Sequence, residues 1–269
     1  MFSHYSPSKF DSWRYCKQKF FQIYIEESEP LFLPSYMALG TTIDKTICDA
    51  FETDEWVDEI WLEERAIMYW DKIYEGIIPE SKKQANKKKK LIPEICHGPA
   101  MELYQRYKEK ALETQVELKI EVDNNLPPIM GVIDIVMESS LADMKVTSQT
   151  WSKGSEKMKM QPYFYSLYLF EKDRKLMETY FQFLIIHTGS MTLQVREVQV
   201  KRCQAYQMLQ YMYYIMQDID ESVKRYQRIG DPKIFSGQIG GFQDYTCSRY
   251  QCPYWKGCEK NLGIEVKEK

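Results

Sequence analysis

Residues 131 to 148 read GVIDIVMESSLADMKVTS, two apolar runs around a short polar gap, each with a charge set inside it. Apolar, β-branched runs of this length read as strands. A charge buried in such a strand is costly unless it is paired. Strand side chains alternate between faces, so Asp143 and Lys145 share one face while Met144 and Val146 take the other. A turn near Ser139 and Ser140 would pair the runs as a hairpin and set Asp134 beside Asp143. Two buried carboxylates repel each other and take up protons. A divalent cation removes that difficulty, because Mg²⁺ and Mn²⁺ prefer hard oxygen ligands. A neighbouring lysine can orient a metal-bound water or steady a phosphate. Taken alone, the D…D-x-K pattern is better read as a surface hairpin whose charges face solvent, because such triples arise often by chance.

The hydrophobic period places this pair in a larger plan. Ser6-Pro7-Ser8 opens a helix, and Phe10, Trp13, Cys16 or Lys17, Phe20 and Tyr24 continue it at helical spacing. Residues 37 to 75 predict two helices split near Thr53 and Asp54, and 95 to 113 predict another. The period then shortens. TQVELKIEV alternates, IMGVIDIVME and LADMKVT read as strands, and the stretch from Gly154 returns to helix. METYFQFLIIHT and MTLQVREVQV predict a hairpin around Gly189 and Ser190, and 203 to 228 predict a long helix. This order predicts an α/β fold with a mixed central sheet flanked by helices. It predicts one domain over 1–269, with a helical portion at 37–113.

The 269-residue chain carries a net charge of −3, which excludes a protein that binds nucleic acid by overall basic charge. A local patch would be needed. SKKQANKKKK (81–90) offers Lys87, Lys88, Lys89 and Lys90, best read alone as a solvated loop and otherwise as a phosphate contact. Lys153 and Lys157 offer a second contact ahead of the next helix. No apolar run is long enough to span a bilayer, and no secretory signal is visible at the start. The expected location is the cytoplasm. Four of the seven cysteines, Cys16, Cys247, Cys252 and Cys258, sit near the two ends. In an unexported chain they argue for a metal site rather than disulfides. Four thiolates suit zinc or an iron–sulfur cluster.

In their joint order these motifs resemble the PD-(D/E)XK nuclease superfamily, and within it the RecB-type branch that includes the CRISPR-associated exonucleases. That branch has a Gly-x-x-Asp strand, here Gly131 to Asp134, and an acid-x-Lys strand, here Asp143 and Lys145. A helix with Gln-x-x-x-Tyr follows, here Gln161 and Tyr165. The acid is Asp where the family usually has Glu. Asp44, after Gly40, stands where the family often has a metal-binding His. Glu117 matches an upstream acidic position. One early cysteine and three late ones, with Cys252-Pro253 and Cys258 at the family's spacing, resemble its 4Fe–4S clasp. The gap from Cys247 to Cys252 is longer than usual.

The resemblance implies a restriction-endonuclease-like core and a clasp built from 1–27 plus 240–262. It implies a Mg²⁺- or Mn²⁺-dependent deoxyribonuclease, an exonuclease of DNA repair, recombination, phage replication or CRISPR adaptation. Asp44, Asp134, Asp143 and the Met144 carbonyl would hold the metal, and Lys145, Gln161 and Tyr165 would complete the site. The partner would be DNA, as ends or single strands, in a bacterial, archaeal or phage-infected cell. There is no Gly-x-x-x-x-Gly-Lys-Ser/Thr, so unwinding would fall to a helicase or other recombination protein. Two other readings stand beside this one: a catalytically degenerate DNA-binding module, and a zinc-stapled structural protein.

Overall fold

The computed structural model describes residues 2–236, 249, 252–263 and 266; Cys247 and most of its neighbours lie outside them. Ser6 accepts the Lys9 N–H and opens helix α1 (Pro7–Tyr15). The single helix expected here is in fact two. Cys16 is extended (φ −159°, ψ 98°), and its Sγ accepts the Lys19 N–H at 3.3 Å to start α2 (Lys17–Tyr24). The apolar spacing runs on across the break, so periodicity alone does not reveal it.

Helices α3 (Ser35–Glu52) and α4 (Glu59–Ile73) separate where the sequence predicts, with Asp58 capping α4. The lysine run, expected as a loop, is helix α5 (Lys82–Lys89). Lysine is a good helix former, Ala85 is buried, and water screens the repulsion among exposed ammonium groups. Short α6 (Ile92–Ile95), a π-turn bent at Gly98, and α7 (Met101–Tyr107) follow where one helix was expected.

Strands β1 (Glu113–Ile120), β2 (Ile129–Val136) and β3 (Ser140–Thr147) lead to helix α8 (Gln161–Lys172). Then come β4 (Glu178–His187), β5 (Thr192–Lys201), α9 (Arg202–Ile229) and α10 (Trp255–Leu262). The sheet order is β1-β2-β3-β4-β5. β2 and β3 are antiparallel, β3 and β4 parallel with α8 between them in sequence, and β4 and β5 antiparallel. This is the expected α/β fold with a mixed sheet and flanking helices.

The chain forms two compact units. The larger takes Leu33–Leu118 and Gly131–Met208; the smaller takes Met1–Phe32, Lys119–Met130 and Leu209–Lys269. In the larger unit Ile135, Ala142, Met144, Leu184 and Ile186 line one sheet face and pack with Leu39, Ile43 and Ile47 of α3, Leu62 and Trp70 of α4, and Leu103 of α7. Asp143 and Lys145 pair with Phe183 and Ile185 on β4, and so take the opposite face. Helix α8 meets that face, with the Tyr165 ring 6.1 Å from Phe181.

In the smaller unit Tyr5 bridges Ile129, and an aromatic core gathers Trp13, Phe20, Phe21, Tyr226 and Phe235. Head and tail meet there. The Leu31 N–H donates to the Pro253 carbonyl at 3.0 Å. Gly257 lies so near Gln22 that a Cβ would fall 2.3 Å from its carboxamide.

Candidate active site

The hairpin predicted from residues 131 to 148 forms, with Ile135 opposite Ala142 and Val136 opposite Leu141. The Met137 N–H closes its turn on the Ser140 carbonyl at 2.9 Å. One residue before the last registered pair, the Asp134 carboxylate itself accepts the Met144 N–H at 2.7 Å. Asp134 is therefore pinned to β3 beside Asp143. Asp143 is 3% exposed. Its Oδ1 accepts from Gln161 Nε2 at 3.1 Å, and its Oδ2 is paired with the Lys145 ammonium. Gln161 opens α8, so the helix start delivers its side chain to the sheet.

Charge explains what this cluster wants. Burial, then the nearby Asp143 and Asp44 carboxylates, push Asp134 up to about 8. Burial also raises Asp44, and the Lys145 ammonium partly offsets it. Burial works against the charged form of Lys145, yet Asp143, Asp134 and Asp44 outweigh it and hold the ammonium protonated above its ordinary range. Lys145 is the cation common to all three carboxylates, with Lys45 acting on Asp44 as well, and a proton on Asp134 relieves the excess negative charge.

Hard oxygen donors with surplus negative charge suit Mg²⁺ or Mn²⁺, and Asp44, reaching the cluster from α3, belongs to that set. Among the described residues, no three His, Cys, Asp or Glu side chains are gathered closely enough to ligate one ion. In this arrangement Lys145 and Gln161 hold Asp143. Met144 belongs to the cluster through its N–H.

Gly131 and Tyr165 turn out to be one feature. A Cβ on Gly131 would fall 2.6 Å from Tyr165 Cε1 and 3.2 Å from the Phe164 ring. Only a glycine lets α8 approach β2 this closely. The Tyr165 hydroxyl is kept protonated, first by burial and then by Asp143.

Sequence reasoning missed Gln115 and Cys48. Gln115 Nε2 donates to Cys48 Sγ at 2.9 Å and lies 3.5 Å from Asp134 Oδ1, at the outer limit of a hydrogen bond. The candidate Glu117 is exposed instead. Gln115 has φ of 50°, a left-handed conformation uncommon for a non-glycine residue. That kink interrupts the regular alternation of β1 just before Glu117. Cys48 follows Asp44 by four residues on α3 and so shares its helix face. This spacing is the one signal that pointed to it.

The lysine candidates lie on other elements than the carboxylates. Lys89 pairs with Asp71 at 2.5 Å, and burial lowers Lys88. Lys87 and Lys90 are exposed on or just past α5, and Lys153 and Lys157 are exposed ahead of α8. Among the described residues no ion pair joins any of these to the cluster.

Of the four thiols expected at the ends, Cys247 lies outside the described residues. Cys16 caps α2, and Cys252 is raised by burial with a further contribution from Cys16, so head and tail thiols lie near each other. Cys258 lies on α10. Sheltered thiols of this kind suit an iron–sulfur cluster or zinc.

No family model matches the chain, and no curated protein does. Among solved structures the chain is similar to SSO0001. The identity is 12%, the coverage 95% of this chain and 96% of that one, and the TM-score 0.34, a likeness too slight to bear on fold or function. Among the described residues no helix is long and apolar enough to cross a membrane.

Proposed function

We propose that the chain is a metal-dependent deoxyribonuclease of the PD-(D/E)XK kind, acting on DNA ends. The observation that carries this is the grouping of Asp134, Asp143 and Lys145 on β2 and β3, with Gln161 of α8 bound to Asp143 and Asp44 of α3 within electrostatic reach. Asp134, Asp143, Asp44 and the Met144 carbonyl are the groups that would hold Mg²⁺ or Mn²⁺. When bound, such an ion lowers the pKa of a water and neutralises phosphate charge. Lys145, whose ammonium form the neighbouring carboxylates favour, would steady the phosphate or the attacking water. Gln161 fixes the rotamer of Asp143, and Tyr165 holds α8 against β2. The thiols Cys16, Cys247, Cys252 and Cys258 would form a structural 4Fe–4S clasp, with zinc as the alternative. Such a clasp belongs in a reducing compartment such as the cytoplasm.

End-labelled DNA with Mn²⁺ tests the reading. Wild-type protein should cleave it and EDTA should stop cleavage. Lys145→Ala should lose at least about a hundredfold in rate, assayed below its own thermal transition so that the protein is folded. Full activity in Lys145→Ala removes that residue from the mechanism. Binding of DNA without cleavage would favour a degenerate DNA-binding module. That second reading has its own support in Lys145 and Gln161 both being engaged with Asp143. Iron and sulfide analysis separates the cluster from zinc.

A further inference from the structure

The segment ETDEWVDEIWLEE, residues 52 to 64, places seven carboxylates in thirteen positions with no lysine or arginine, in a chain whose net charge is only −3. It leads into α4 and forms its first six residues. One side of it is built into the larger unit: Val57 and Leu62 are buried in the core, and Asp58 caps the helix. The other side is open. Trp56 is 85% exposed, Ile60 63% and Met68 45%. No large hydrophobic side chain among the described residues is more exposed than Trp56.

Ile60 and Met68 stand two turns apart on one helix face, with Glu64 between them. Glu52, Asp54, Glu59 and Glu64 make no ion pair among the described residues; the pairs formed nearby are His97 with Glu63 and Arg65 with Asp49. An indole left in water beside a row of unpaired carboxylates is unfavourable for an isolated protein, and exposed apolar groups rimmed by charge mark interaction surfaces.

The chemistry selects the occupant. Dense negative charge repels phosphates, so nucleic acid does not fit. A ridge along a helix is covered best by another helix lying along it. The flanking carboxylates ask for basic residues beside the partner's apolar stripe, as flanking charges select partners in helix pairs. We infer that exposed Trp56, in the segment just before α4, and the Ile60–Met68 face of α4 together dock a basic amphipathic helix of a partner protein. This inference is independent of the nuclease reading.

The probe is a synthetic amphipathic helix of leucine and lysine, compared with its leucine–glutamate counterpart of the same apolar pattern. Binding to the full chain is followed by calorimetry. The lysine helix should bind and the glutamate helix should not. Trp56→Ala and Glu59→Lys should each weaken binding at least tenfold, and Glu102→Lys, an exposed charge reversal elsewhere, should leave it unchanged. All three should melt as the wild type does, since the sites are exposed. Equal weakening by Glu102→Lys would mean attraction to charge in general and would overturn the inference. So would unchanged binding in Trp56→Ala, or self-association in sedimentation that Trp56→Ala abolishes, which would make a second copy the occupant.

Discussion

Asp134 shows how much one side chain can reveal about the cluster. A free aspartate titrates near 3.9; here burial and two neighbouring carboxylates lift it to about 8. Folding therefore binds a proton between those values. The sign follows directly. The unfolded chain has already lost that proton above about pH 4, so the folded form loses stability as pH rises from there through about 8, with a slope of at most about 1.4 kcal/mol per pH unit. Lys145 acts outside this window. Its raised value makes a contribution that is complete below the ordinary lysine range and is lost only as pH climbs above it. In EDTA, the melting temperature of the wild type should fall between pH 5 and pH 8. Asp134→Asn, which mimics the protonated acid and can still accept the Met144 N–H, should flatten that slope. Parallel slopes in the two proteins would place the titration elsewhere. With Mn²⁺ added, calorimetry in two buffers of different ionisation heat should show proton release on binding.

At the scale of elements, the contact between β2 and α8 depends on a missing side chain. Gly131→Ala drives a methyl into the rings of Tyr165 and Phe164, an overpacking that costs about 1–3 kcal/mol. Because Gln161 and Tyr165 share α8, the same change should move Gln161 off Asp143 and reduce cleavage beyond the loss of stability. Tyr165→Leu in the Gly131→Ala background should recover part of the stability, giving a clear coupling in a double-mutant cycle measured by urea melts. Strict additivity would mean that the ring is not the obstacle. These elements also mark how far the sequence could be read. Strand alternation set Asp143 and Lys145 on one face, and helical spacing joined Gln161 to Tyr165. Features that periodicity does not encode stayed hidden. The helix break at Cys16 rests on one extended residue, the left-handed kink at Gln115 on one backbone angle, and α5 on burial of Ala85 among lysines. Glu117 came from a match to a family motif, and the structure shows its side chain exposed.

For the molecule as a whole, the smaller unit raises a folding problem that the larger one does not. It is assembled from three separated stretches of chain, so its head and tail must find each other across nearly the full sequence. The Leu31–Pro253 bond, the Gln18 carboxamide on the Pro232 carbonyl at 2.8 Å and the Trp13 indole on Asp218 at 2.8 Å already join them. Closing so long a loop is entropically costly, and a cross-link between Cys16 and the tail thiols removes that cost from the unfolded state. By the loop-entropy relation such a link contributes up to about 4–5 kcal/mol. If the proposed cluster forms, Cys16→Ser and Cys252→Ser should each lose visible absorbance and iron together. Calorimetry should show the smaller unit melting earlier, with the transition of the sheet-containing unit nearly unmoved. Cleavage of DNA, if the site in the larger unit carries it, should survive at temperatures below the first transition. A single transition that shifts as a block would show that the clasp stabilises both units together. No shift at all, with iron retained, would remove these thiols from the ligand set.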